Sequence, residues 1–428
     1  MKLHTLRMKP RRRAMTALTL AIAATFCVVA REASAQDSTE PKDAAPTRSQ
    51  AGAPSWPQWR GPSRDGISLE TKWSPKGKAD RVWFTNVGIG YSTVSIDGGQ
   101  LFTIGHDVEA EEDTVYCLDL ASGEDQWTFA YKCRTLAKAH KGGSLTTPSV
   151  DGPRVFVANR EGKLFCLDRK SGKVQWQKDL MKEHKLTLPE WGFAASPLIL
   201  DEMIVQATGH VFAFDRKGKE LWRTKSDYKE SYATPATASF FGKDYLVCFN
   251  GNGCVVLERA NGKEVAAHKW ETRYKVNAAT PVIVGNKIFI SSGYNTGCAL
   301  LEFSKDRELS LLWENKEMRN HMSGCVAIGE YLYGFDEATF KCLDLDGKVK
   351  WQERGLGKGA FVVAGEHLVI LSSRGDLVVA KANPESFEEV SRQNVLSGGV
   401  YWTTPVLCDG RIYARNSLGD LVCLDHRD

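Results

Sequence analysis

The sequence predicts an all-β ring of repeated four-stranded sheets, and three observations predict it. A phrase of the form Leu-Asp, polar pair, Gly-Lys, Trp recurs at 117–127 (CLDLASGEDQW), 166–176 (CLDRKSGKVQW), 213–222 (AFDRKGKELW) and 342–351 (CLDLDGKVKW). Degenerate copies lie at 256–268 and 299–313. Each copy follows a Thr-Pro or its equivalent and two alternating apolar runs joined by Asp-Gly, Gly-Asn or Gly-Lys, which is hairpin chemistry. No window of useful length carries a helical stripe. Starts at 93, 147, 196, 234, 280, 323, 360 and 404 are spaced 37 to 54 residues apart. That is the period of a propeller blade. The prediction is one β-propeller of eight four-stranded blades, or seven if the degenerate unit at 360–396 is not a blade of its own.

The elements follow in chain order. Residues 1–35 read as a signal peptide: a basic stretch to Arg13, the apolar run 14–30, and Ala33-Ser34-Ala35 as the cleavage site. Arg11-Arg12-Arg13 leaves the export route open between the general and the twin-arginine pathways. Cys27 follows the bulky Phe26, which does not suit lipid attachment. Residues 36–55, rich in Pro, Ala, Ser and Thr, read as a flexible tether. Residues 56–428 form the propeller. A single blade has two apolar faces and buries them only by stacking on neighbours. The recurrent Trp127, Trp176, Trp222, Trp313 and Trp351 are therefore expected on outermost strands, packed between blades. The last unit ends at Asp428 without its Trp strand. The segment 81–88 with Trp83 supplies one, so an N-terminal strand is expected to complete the last blade and close the ring, which removes open edges.

Composition sets further bounds. Of 428 residues, 42% are hydrophobic and 25% charged, which is globular composition. The formal charge of +4 resides in the leader, which holds seven Lys/Arg and one acid, leaving 49 basic against 51 acidic residues beyond it. That balance gives no electrostatic case for nucleic acid. No later run is long enough to span a bilayer, so the mature chain is expected to be exported, periplasmic or secreted, and monomeric.

The repeated phrase resembles the tryptophan-docking repeat of the pyrroloquinoline-quinone-like (PQQ-like) propellers, and WPQWRGPSRDGIS (56–68) is similar to the opening phrase of secreted members. The resemblance covers about residues 56–428 and implies the fold. It implies two lines of function. One is a non-catalytic scaffold of the BamB type, holding no cofactor and presenting loops to a protein partner in the cell envelope. The other is a PQQ-dependent quinoprotein alcohol dehydrogenase using PQQ and Ca²⁺. In that line a quinone stacks on tryptophan, carboxylate and amide oxygens hold Ca²⁺, an Asp acts as base, and adjacent cysteines often cap the cofactor. This sequence has no adjacent Cys pair and no cluster of oxygen ligands at a repeat start. The scaffold is the expected function. A carbohydrate-binding propeller is a third line.

No catalytic or metal-binding residue is assigned. The eight histidines beyond the leader lack metal-ligand spacing, and the acidic run 106–113 reads as a solvated hairpin tip. The candidate binding surface is the funnel formed where the chain enters each innermost strand: Tyr91, Leu145, Ala194, Tyr232, Ala278, His321, Lys358 and Trp402, with Arg134, His140, Trp191, Tyr274, Asn277 and Tyr401 nearby. Aromatic and basic groups converging on one mouth suit a peptide, a glycan or a small aromatic ligand. Connectors 128–146 and 177–195 would build its rim. The ten cysteines beyond the leader are expected to be mostly buried and reduced, with Cys133 the best placed to pair or react.

Overall fold

The computed structural model describes residues 54–138, 141–230 and 232–427. The leader, most of the tether and His140 fall outside them. Eight antiparallel sheets each start from a short innermost strand: Ser95–Asp97, Ser149–Asp151, Leu198–Leu200, Ala236–Phe240, Val282–Val284, Val326–Ile328, Ala360–Ala364 and Val406–Cys408. These define blades 1 to 8, and each strand begins at or just after a start read from the sequence. The degenerate unit at 360–396 is a full blade, so the count is eight. Blade 8 takes its outermost strand from Asp80–Asn86, which pairs antiparallel with Asp420–Asp425. The expected closure is the observed one.

The repeat phrase works as an inter-blade dock. Each Trp sits on an outermost strand, and in five of the six its indole N–H donates to a backbone carbonyl of the next blade. Trp83 reaches Leu120 O at 3.1 Å, Trp127 reaches Arg169 O at 2.8 Å and Trp176 reaches Arg216 O at 2.9 Å. Trp313 reaches Leu345 O at 2.8 Å and Trp351 reaches Asn383 O at 2.7 Å. Trp222 lies against Gly262 in the same way, without a hydrogen bond from its N–H. The Gly of the phrase is what the indole rests on. Gly172 has φ +69°, and a Cβ there would lie 2.5 Å from Trp127 Cε3, so both the turn and the close approach exclude a side chain. The Arg after the Asp of the phrase adds a clasp in two copies: Arg169 pairs with Asp97 at 2.6 Å and Arg216 with Asp151 at 2.7 Å, each reaching the preceding blade.

The Thr or Ser at the starts of blades 2, 3 and 4 is a staple of the inner ring. The Thr93, Thr147 and Ser196 amides donate to Thr147 Oγ1, Ser196 Oγ and Thr234 Oγ1 at 3.3, 2.9 and 2.9 Å. The Pro that often follows has no N–H to leave unpaired.

The opening phrase 56–68 does something the sequence did not reveal. It fills the axis. Trp56 and Ile96 of blade 1 exchange backbone hydrogen bonds at 2.8 Å, and Val150 of blade 2 donates to Pro57 O at 2.8 Å. Arg64 donates to Ile199 O of blade 3 at 3.0 Å and Trp59 to Thr280 Oγ1 of blade 5 at 3.2 Å. Arg60 donates to Cys325 O of blade 6 at 3.0 Å and Ser68 to Leu407 O of blade 8 at 3.4 Å. Ile67–Ser68 joins blade 7 as a parallel fifth strand. Thirteen residues thus tie seven blades together from inside.

Two expectations are corrected. The run 106–113 is not uniformly solvated. Its turn is exposed, but His106 and Asp113 are buried at its ends. Arg160 of blade 2, also buried, meets both Asp113 oxygens at 2.9 and 3.1 Å and lies 3.0 Å from His106 Nδ1. A partner one blade away reverses the rule that charges stay out. Cys133 is not reactive by position: it is buried, and burial, then the nearby Asp113, push its thiol pKa upward. All ten described cysteines are buried and unpaired.

Candidate functional site

Six of the eight strand-entry residues come together. Tyr91, Leu145, Ala194, Tyr232, Ala278 and Trp402 line a hollow of about 120 Å³ at the upper end of the axis. Met322, Ser196 and Thr234 complete its walls, and Trp59 of the axial segment lines it too. The entry positions converge because each blade presents the same residue to the axis. Trp59 belongs to no repeat, and only its place in the axial plug brings it here.

The geometry is aromatic. Tyr91 and Trp402 stack with ring centroids 5.4 Å apart and planes 19° apart. Trp191, on the long connector, stands edge-on to Tyr232 at 6.1 Å and to Tyr274 at 6.4 Å. Tyr274 leads to Tyr294 at 5.0 Å, and Tyr294 to His321 at 4.5 Å. Burial raises the phenol pKa of Tyr91 to about 12 and pushes that of Tyr232 up as well, so both remain neutral hydroxyls.

His321 and Lys358 stand at the side of this mouth rather than in the hollow. The Lys358 ammonium lies 2.9 Å from His321 Nδ1 and 2.5 Å from Glu337 Oε2. An ammonium only donates, so Nδ1 accepts and the neutral imidazole carries its proton on Nε2. Asn277 is a strut, not a contact residue. It is fully buried, donating to Asn250 O at 2.7 Å and accepting from Ser292 Oγ at 2.6 Å. Tyr401 is likewise buried. Arg134 stands on the rim, paired with Glu161 at 2.5 Å.

The histidines set a pH dependence. Burial lowers the pKa of His184, His268, His321, His367 and His426, with Lys358 adding to the effect at His321. An unfolded chain takes up these protons near the ordinary value of about 6.5, before the folded one does. The unfolded state therefore binds more protons just below that pH, and stability falls as pH drops through it. Thermal unfolding is expected to show a declining midpoint between about pH 6.5 and 5, above the range where carboxylates protonate. His426→Gln should flatten that slope; an unchanged midpoint down to pH 5 would contradict it.

The donor set does not fit a quinone with a divalent ion. Side chains lining the hollow include no carboxylate to give Ca²⁺ its oxygens and no cation to meet a quinone's carboxylates. The docking tryptophans turn outward between blades and are not available as a bed.

A closed eight-bladed propeller with a plugged axis and an aromatic cup at one mouth defines the class. The family model described as outer membrane protein assembly factor BamB matches residues 111–353, and the chain belongs to that family. No match is found among curated proteins. Similar solved structures include the quinohemoprotein alcohol dehydrogenase ADHIIG from Pseudomonas putida HK5, with TM-score 0.58 and 13% identity over 87% of this chain and 80% of that one. The computationally designed protein Ika8 has TM-score 0.57 and 11% identity, over 82% of this chain and 100% of that one. BamB from Moraxella catarrhalis has TM-score 0.47 and 13% identity, over 82% of this chain and 98% of that one. At identities this low the first two speak to the fold alone.

Proposed function

We propose that this chain is an exported, non-catalytic binding scaffold that presents its upper mouth to a protein partner at the cell envelope. The observation that carries the reading is the mouth itself. Aromatic rings from successive connectors converge on one apolar cup, and no carboxylate, histidine, lysine or arginine is among the residues lining it. Tyr274 remains 43% exposed at that mouth, beside the half-buried Trp191, where rigid aromatic surface supports recognition. Membership of an assembly-factor family agrees with a scaffold role. The leader-like N-terminus supports export.

The test is capture from an envelope extract by the mature chain, compared with two variants. Trp191→Ala with Tyr274→Ala strips the mouth; Phe84→Ala strips an exposed ring from the outer edge of blade 8. The expected result is at least tenfold less of a captured protein with the first and no change with the second, equivalent to ~1.4 kcal/mol or more for the pair. Equal losses or none would contradict the mouth as the interface. Alcohol-dependent dye reduction on adding PQQ and Ca²⁺ would overturn the non-catalytic reading.

A further inference from the structure

Resting on the scaffold reading, we infer that the axial cup receives one aromatic side chain of the partner polypeptide, at a position next to an acidic residue. Size is the first argument. A cavity of about 120 Å³ takes a single ring. The walls are the second. The Tyr91–Trp402 stack, Trp59 and Tyr232 offer edges and faces to a ring, and Met322 adds a polarizable sulfur.

Hydrogen bonding argues against a sugar in the same place. Ser196 Oγ and Thr234 Oγ1 already accept from the Thr147 and Ser196 amides at 2.9 Å. The Trp59 N–H is spent on Thr280. A saccharide ring entering here would meet the unpartnered Tyr232 hydroxyl and the remaining capacity of Ser196 and Thr234, fewer groups than its own hydroxyls need, at a cost an aromatic hydrocarbon face does not incur.

Charge supplies the acidic neighbour. Arg415, 1% exposed, donates from Nη1 to the carbonyl of Ser92, the residue after Tyr91, at 2.8 Å, and to Thr103 Oγ1 and Ile104 O at 2.9 Å each. Its Nη2 donates to Gly88 O at 2.9 Å. All four acceptors are neutral, and among the described residues no carboxylate pairs with it. Burial lowers its pKa only to about 10, so it stays cationic at neutral pH. A positive charge held in low dielectric beside one wall biases that side of the mouth toward an anion. Lys358, by contrast, is neutralised by Glu337.

The experiment titrates the full mature chain with blocked dipeptide amides, read by tryptophan fluorescence and indole N–H NMR shifts. N-acetyl-Asp-Phe-amide is expected to bind weakly, at least fivefold tighter than N-acetyl-Lys-Phe-amide and tenfold tighter than N-acetyl-Asp-Ala-amide. Ala194→Trp and Ala278→Phe, at half-buried cup positions, should each fill the cavity and abolish the Phe effect. Arg415→Met should equalise Asp and Lys while retaining Phe; should that variant fail to fold, the Asp-to-Lys ratio of the native chain decides. Equal binding of Phe and Ala dipeptides, full binding by both filled variants, or glucose binding more tightly would overturn the inference. Partner capture that survives Ala194→Trp but is lost on stripping Trp191 and Tyr274 would sink the anchor and leave the scaffold standing.

Discussion

Gly105→Ala is expected to prevent the ring from closing. A Cβ at this position would fall inside the van der Waals radius of the Val87 carbonyl oxygen, which is backbone and cannot swing aside. Here the chain passes from blade 8 to blade 1 with backbones in direct contact. Val87 N–H donates to Gly419 O at 3.0 Å, and Ile89 and His106 exchange hydrogen bonds at 3.1 and 2.9 Å. One methyl group must force this joint apart. The loss should exceed ~4 kcal/mol, beyond the usual range for a point change. Urea unfolding or soluble yield measures it. Gly99→Ala is the control: nothing lies within 4 Å of its Cβ, so only its φ of +78° opposes the change, at about 1–2 kcal/mol. Similar stability for the two variants would refute the argument.

Asp113→Ala should be nearly as damaging. It removes the carboxylate from a buried guanidinium, that of Arg160, whose remaining bonds go to backbone carbonyls, from Nε to Arg134 O at 2.8 Å and from Nη2 to Arg134 O and Cys133 O, and to the His106 ring, none of them an anion. Stranding a buried charge costs about 3–5 kcal/mol. The paired change Asp113→Leu with Arg160→Met removes both charges, and it should regain most of that loss. Denaturant midpoints of the singles and the double form the test. A double variant as unstable as Asp113→Ala would show that the network contributes something other than charge balance.

What was legible in the sequence is what repeats. Thr-Pro, Asp-Gly and Gly-Lys-x-x-Trp each do a local job, in staple, hairpin and dock, so the eight starts and the six tryptophans could be placed by counting. The converging entry residues followed from the same periodicity. Features that occur once could not be counted. Trp59 reaches the cup only because its segment bonds to Thr280, 221 residues on. Asp113 is buried because Arg160 arrives from the next blade, and the acidic run alone gave no sign of it. Asn277 stands among cup residues in sequence, yet its amide is consumed by Asn250 and Ser292. A polar residue beside a mouth reads the same whether it faces the solvent or braces a turn.

Velcro between the two ends of the molecule has a kinetic corollary. Asp80 lies opposite Asp425, so a strand made early in synthesis waits for nearly the whole polypeptide before it has a mate. Such long-range pairing is slow to form. Until Asp420–Asp425 has been made, blade 8 has no mate for Asp80–Asn86 and the ring stays open.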